Sequence, residues 1–196
     1  MTSRSRLLLA LAALALLATY VRPLWHIGLQ APQYPEGLGL YISIDGISGQ
    51  GAHDLQSLNG LNHYIGMHKI VPEEIPELRF LPRAIAVLIL LGLAAAALGR
   101  RWALDGYAAV LVAGALAGLA DFWWWGYRYG HELDPKAAIQ VPGMTYQPPL
   151  IGSKQLLNIT AHSWPASGGW VLTIAVGLVL ALVVLEHRKA HAVAAA

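Results

Sequence analysis

Apolar residues run along this chain in four long blocks, and polar residues with Pro, Gly, Tyr and His fill the stretches between them. The first block, Leu7 to Val21, follows Arg4 and Arg6, and the second runs from about Pro82 to Leu98 and closes on Arg100 and Arg101. The third, Tyr107 to Trp125, ends in Asp121 and the run "FWWW", and the fourth, Trp170 to Leu185, stops at Glu186-His187-Arg188-Lys189. An α-helix needs about 20 apolar residues to cross a hydrocarbon core about 30 Å thick. The blocks therefore predict four transmembrane helices, over about 5–24, 82–99, 104–125 and 167–185. The short first block also fits the apolar core of a cleavable signal. Its exit, "ALLATYVRP", offers a poor small-x-small site, and the apolar character continues through Leu24 and Trp25, so an uncleaved anchor is expected.

Two long segments, about 25–81 and 126–166, connect these spans. In the first, Leu40, Ile42 and Ile44 alternate with Tyr41 and Ser43 ahead of an Asp-Gly turn, the period of a strand or hairpin. "HDLQSLNGLNHYIGM" reads as a short helix, capped by His53-Asp54 and interrupted at Gly60 and Gly66. "VPEEIPELRFLP" then reads as an extended return to the next span. In the second segment Asp134-Pro135 and "VPGMTYQPPLIG" predict turns and polyproline-like chain, held by packing and not by ladder hydrogen bonds. The fold class expected is a mainly α membrane protein. It is one integral domain over 1–196, with four transmembrane helices and two long external segments forming a small mixed cap.

Orientation follows from the cationic residues, because short basic loops stay on the cytoplasmic side. Arg4, Arg6, Arg100, Arg101, Arg188 and Lys189 fall on one side of the predicted spans. Both termini are thus expected in the cytoplasm, and the two long segments outside a bacterial inner membrane, in the periplasm.

Composition agrees: 56% hydrophobic and 12% charged residues is about half the charge of a soluble domain. A net charge of +2, with no basic run interleaved with aromatics, implies no nucleic-acid partner. The absence of cysteine excludes disulfides, Cys-ligated zinc, iron–sulfur clusters and thiol catalysis. Any metal must then be held by His, Met, Asp or Glu.

Candidate chemistry gathers in "LNHYIGMHKI", Leu61 to Ile70, with two histidines and a methionine within six positions. His63 and Met67 are four apart and share a face in a helix or a strand, whereas His68 points elsewhere. Imidazole and thioether together suit copper, the thioether favouring Cu(I), and the same pair also serves haem iron. The second segment offers His131 and Met144, with His162 further on. The metal site read from the residues is therefore His63, Met67, His131 and Met144, with copper as the ion. Solvated histidines and a space-filling methionine account for the same residues. Asp121, at the outer end of the third span, reads as a proton or metal group, or as an interfacial carboxylate paired with Arg128 or an indole. No hydrolase, P-loop or dinucleotide motif is present, and no nucleophile–base pair can be read, so an enzyme is not expected.

The phrases "APQYPEGLGLYI", "LNHYIGM", "DFWWWGYRYGHELDP" and "VPGMTYQPPLIGSKQLLN" resemble a family of bacterial multi-pass membrane proteins. Members of that family lie in gene neighbourhoods of nitrous-oxide reductase and its copper-maturation factors. The resemblance covers roughly residues 22 to 169. It implies a role beside a periplasmic copper enzyme, in copper supply or in electron delivery. The expected function is thus a membrane-anchored accessory protein handling copper on the periplasmic face. The alternative is a structural or electron-transfer subunit of a membrane redox complex without its own metal site.

Overall fold

The computed structural model describes residues 1–156 and 158–194, with side chains as far as Lys189 outside that gap. Helix α1 (Ser3–Ala15) is prolonged by a 3-10 stretch over Leu16–Tyr20. Strands β1 (Trp25–Ala31), β2 (Tyr34–Ile42) and β3 (Ile47–Gly49) follow, then helix α2 (Asp54–Ile65). A 3-10 turn at Pro72–Glu74 leads into α3 (Glu77–Leu98), and α4 (Arg101–His131) comes next. Strands β4 (Gly152–Leu156) and β5 (Ile159–Pro165) precede the last helix, α5 (Ser167–Ala194).

Four helices are long and apolar enough to cross a membrane: Ser3–Tyr20, Glu77–Leu98, Arg101–His131 and Ser167–Lys189. Their shared core buries Leu9, Leu16, Leu104, Leu111, Val179 and Leu182. Leucine side chains from α1 lie at its centre, so α1 is a structural member of the bundle and not an appendage. Close approach is allowed by Gly92 on α3, where an added Cβ would stand 2.6 Å from the Ala13 Cβ and 2.7 Å from the Tyr107 ring. That is the small-residue contact by which helices associate in lipid, where apolar burial alone gives little preference.

The spans alternate in direction, and polar contacts mark one end of the bundle. Arg6 donates to the carbonyls of Ala96 and Ala97 at 2.8 Å each. Ser5 donates to Glu186 at 2.5 Å, and His187 lies 3.0 Å from Asp105. The α1 start, the α3–α4 connection and the end of α5 thus meet, and both long connections lie at the opposite end. This is the relative arrangement expected from the sequence.

At that opposite end the long connections form one five-stranded antiparallel sheet, in the order β3-β2-β1-β5-β4. The central pairing joins the two segments, with Trp25 opposite Pro165 and Gly28 opposite His162. One face carries Leu38 and Leu40, which pack with Leu58 of α2. The turn between β2 and β3 sends Ile44, 1% exposed, into the core of the helical bundle. Sheet and bundle therefore share apolar contacts.

Several boundaries differ from the expectation. Helix α3 starts at Glu77, five residues before the predicted start, with Pro82 inside its second turn. Proline forfeits one helical hydrogen bond there, a loss tolerated near a helix start. The third helix continues through residues assigned to the external segment and ends at His131. At 31 residues it is about 46 Å long, well beyond a hydrocarbon core of about 30 Å. Gly60 does not interrupt α2, and His53 makes no side-chain cap. The neighbouring Asp54 carboxylate instead accepts from the backbone N–H of Gly39 and Gly51, tying α2 to the sheet. The turns and polyproline-like chain expected at Asp134-Pro135 and from Val141 onward form no strand up to Ile151, and the unforeseen strands β4 and β5 follow immediately.

Candidate functional site

The stretch Leu61 to Ile70 folds as a helix end and a return strand of chain. Helix α2 stops at Gly66, which takes φ 81°, a left-handed conformation that costs side-chain-bearing residues about 1–2 kcal/mol. Because the chain leaves the helix there, Met67 does not continue the face on which His63 lies. Two asparagines hold the returning chain against α2. The Asn59 amide bonds both backbone groups of Ile70, at 2.7 and 3.0 Å, and the buried Asn62 donates to the His68 carbonyl at 3.2 Å.

The second long segment docks on this turn. Asp134 N–H donates to the Gly66 carbonyl at 2.8 Å, and Ile139 N–H to the Tyr64 carbonyl at 2.9 Å. Tyr129, in the part of α4 that extends past the predicted span, reaches the Lys69 carbonyl at 3.4 Å. Between the α2 turn and the α4 end lies a cleft of about 530 Å³, lined by Met67, His68, Lys69, Glu132 and Asp134 among others. The two segments therefore meet at this cleft, and the histidine at their junction is His68. His68 Nε2 stands 3.7 Å from Glu132 Oε2, and its ring meets Tyr129 edge-on at 6.2 Å.

Of the four residues read from the sequence, only Met67 lines this cleft. His63 is exposed in the last turn of α2, with its ring 6.0 Å from that of Tyr64. His131 ends α4, stacked on the Tyr127 ring at 4.0 Å with Nδ1 3.0 Å from the Tyr127 carbonyl. Met144 follows the Pro142-Gly143 turn and donates its N–H to the Val141 carbonyl. Among the described residues, no group of three or more His, Asp or Glu side chains is arranged to hold a metal. The residues of the cleft with metal-binding groups are His68, Glu132, Asp134 and Met67, and of these the side chains of His68 and Glu132 lie close to one another.

Sequence reasoning passed over His68, Glu132, Asn59 and Asn62. The signal for Glu132 was its position four residues after Arg128, a helical ion-pair spacing realised at 3.4 Å. Two asparagines inside a predicted helix were a second signal, since such amides compete for backbone groups. Asp121 does not pair with Arg128, whose guanidinium instead lies 5.2 Å over the Trp125 ring and bonds Glu132.

The fold defines a mainly helical protein with four helices able to span a membrane and a small antiparallel sheet at one end. No protein-family model matches the chain, and no curated relative matches it.

Proposed function

We propose that this is a multi-pass protein of a bacterial inner membrane, with its sheet and cleft in the periplasm, that handles a copper ion for a partner copper enzyme. The observation that carries the reading is the approach of His68 Nε2 and Glu132 Oε2 to 3.7 Å beside Met67. That separation is too long for a hydrogen bond. It is close to the spacing of two donors on one ion, about 3.3–3.6 Å when each bond is near 2 Å. A thioether at the same cleft favours the soft Cu(I). Both His68 and Glu132 are half exposed, which suits an ion that is passed on. An exposed histidine–carboxylate pair is by itself worth about 0–1 kcal/mol, so folding gives little reason for it. The resemblance to proteins encoded near a copper enzyme supports the same reading.

Anaerobic Cu(I) titration of the purified full-length protein against a chromophoric chelator tests this. One equivalent should bind, and Met67→Leu with His68→Ala should weaken it at least tenfold while helical content stays unchanged. Undiminished binding in that variant, or its loss in a His63→Ala, His131→Ala, Met144→Leu variant, would place the ion elsewhere.

A second reading, a structural or electron-transfer subunit of a membrane redox complex, is favoured by one feature. Trp123, Trp124 and Tyr127 are exposed and stacked at 5.6 and 6.0 Å along the outer end of α4. Deletion separates the two: loss of a copper carrier leaves its client underloaded, and loss of a redox subunit leaves the client loaded but slow in cells.

A further inference from the structure

A groove of about 570 Å³ runs between α4 and α5 at the end of the bundle where Ser5 meets Glu186. Its floor and walls are Ala109, Ala113, Leu116 and Leu180, all exposed on the outside of the bundle, and it ends at Asp105 and His187. From Asp105 to Leu116 the helix rises about 16 Å. Half of a hydrocarbon core is about 15 Å. The groove thus has the length of one leaflet, with its polar end where lipid headgroups begin.

Cationic side chains outnumber carboxylates at that end, where Arg101, Arg188 and Lys189 stand with Asp105 and Glu186. Asp105 already has a neighbour in His187, whose Nε2 lies 3.0 and 3.1 Å from its carboxylate oxygens. Arg101 lies one helical turn before Asp105, on the same face, and Arg188 adjoins His187. Both arginines are exposed, and among the described residues neither forms an ion pair, whereas Lys189 is held by Glu186 at 3.4 Å. We infer that this groove is a binding site for one anionic glycerophospholipid, with an acyl chain along Ala109, Ala113 and Leu116 and the headgroup phosphate between Arg101 and Arg188. Guanidinium is suited to phosphate because its fork of donors meets two oxygens at once. The inference rests on the membrane reading and is independent of copper.

Native mass spectrometry of the full-length protein in detergent tests it, with phosphatidylglycerol and phosphatidylcholine as the probes. One phosphatidylglycerol should be retained per chain, in preference to phosphatidylcholine by about thirtyfold, the scale set by two arginines at a membrane surface at about 1 kcal/mol each. Arg101→Gln with Arg188→Gln should abolish the preference, and the corresponding double Lys variant should restore part of it. Ala113→Leu, which fills the groove, should weaken retention of both lipids. Equal retention of the two lipids by the unaltered protein, or an unchanged preference in the Gln variant, would overturn the inference. So would efficient disulfide crosslinking of an Ala113→Cys variant in bilayers, since a second copy would then cover the groove. Copper titration of the same Gln variant should be normal, which keeps this result apart from that of the cleft.

Discussion

The Ser5 hydroxyl on α1 donates a 2.5 Å hydrogen bond to the Glu186 carboxylate on α5, and the two residues are only 4% and 2% exposed. The Lys189 ammonium lies 3.4 Å away, and Thr2 also contacts this carboxylate. Hydrogen bonds to a charged group contribute about 1.5–3 kcal/mol, and a buried carboxylate left without partners costs more than it gave. Ser5→Ala is therefore expected to lower the thermal midpoint of the protein in detergent by several degrees, and Glu186→Ala to lower it further. A double-mutant cycle read by circular dichroism should give coupling above about 0.5 kcal/mol. Simple additivity would show that the contact contributes nothing of its own.

Tyr107 carries a buried hydroxyl without a hydrogen-bond partner, facing Gly92. An unsatisfied buried polar group costs about 1–3 kcal/mol. Tyr107→Phe should thus leave stability unchanged or raise it, whereas Gly92→Leu should prevent α1, α3 and α4 from closing. A clear fall in the midpoint for Tyr107→Phe would mean that the hydroxyl has a partner in the bilayer.

Replacement of Gly66 acts on the cleft and not on the spans. A Cβ there would meet the Ala137 Cβ and the Asp134 carbonyl at 2.9 Å each, in addition to the left-handed φ. Gly66→Val should accelerate hydrogen exchange across 64–70 and 132–139 and leave α3 and α5 protected. Uniform deprotection of the whole chain would refute a local role for this turn.

Sidedness can be read without background, because the chain has no cysteine. Cysteine introduced at the exposed positions Ser48 and Ala138 should react with an impermeant maleimide from the periplasm, and cysteine at the exposed Arg100 only after the membrane is opened. Labelling of Ser48 and Ala138 from opposite sides would be incompatible with the shared sheet.

Apolar blocks made the four long helices legible, since nothing but lipid or a bundle core accommodates so many consecutive apolar residues. Their ends were less so. Helix α3 begins among Glu77, Arg79 and Arg83, which hydropathy assigns to water, and the aromatic run after Asp121 looked like a terminus when α4 continues for six more residues past Trp125. Pairs at four-residue spacing, Trp125 with Tyr129 and Tyr127 with His131, carried that continuation in side-chain stacking at 5.8 and 4.0 Å. The β2–β3 hairpin was visible in its alternation. Strands β1 and β5 alternate as well, but Gly28 and small residues such as Ala161 and Ser163 dilute the signal. At the cleft, the placement of Met67 near the junction of the two segments follows from the turn after Ile65. That His68 and not His63 lines the cleft was not legible, because it depends on the chain reversing at Gly66 and on Asn59 and Asn62 holding the reversal.

The pairing of Trp25 with Pro165 sets an order in time. About 140 residues separate these partners, so at a synthesis rate of about 5–20 residues per second the first strand waits on the order of ten seconds for the last one. During that interval β1 can pair with β2, as Ile27 with Leu40 and Leu29 with Leu38, but its other edge stays open. An open edge invites strands from other molecules. Closure by β5 immediately precedes α5, so the sheet is completed only as the final helix enters the bundle, and a ribosome stalled before Ile159 would leave an adhesive nascent chain.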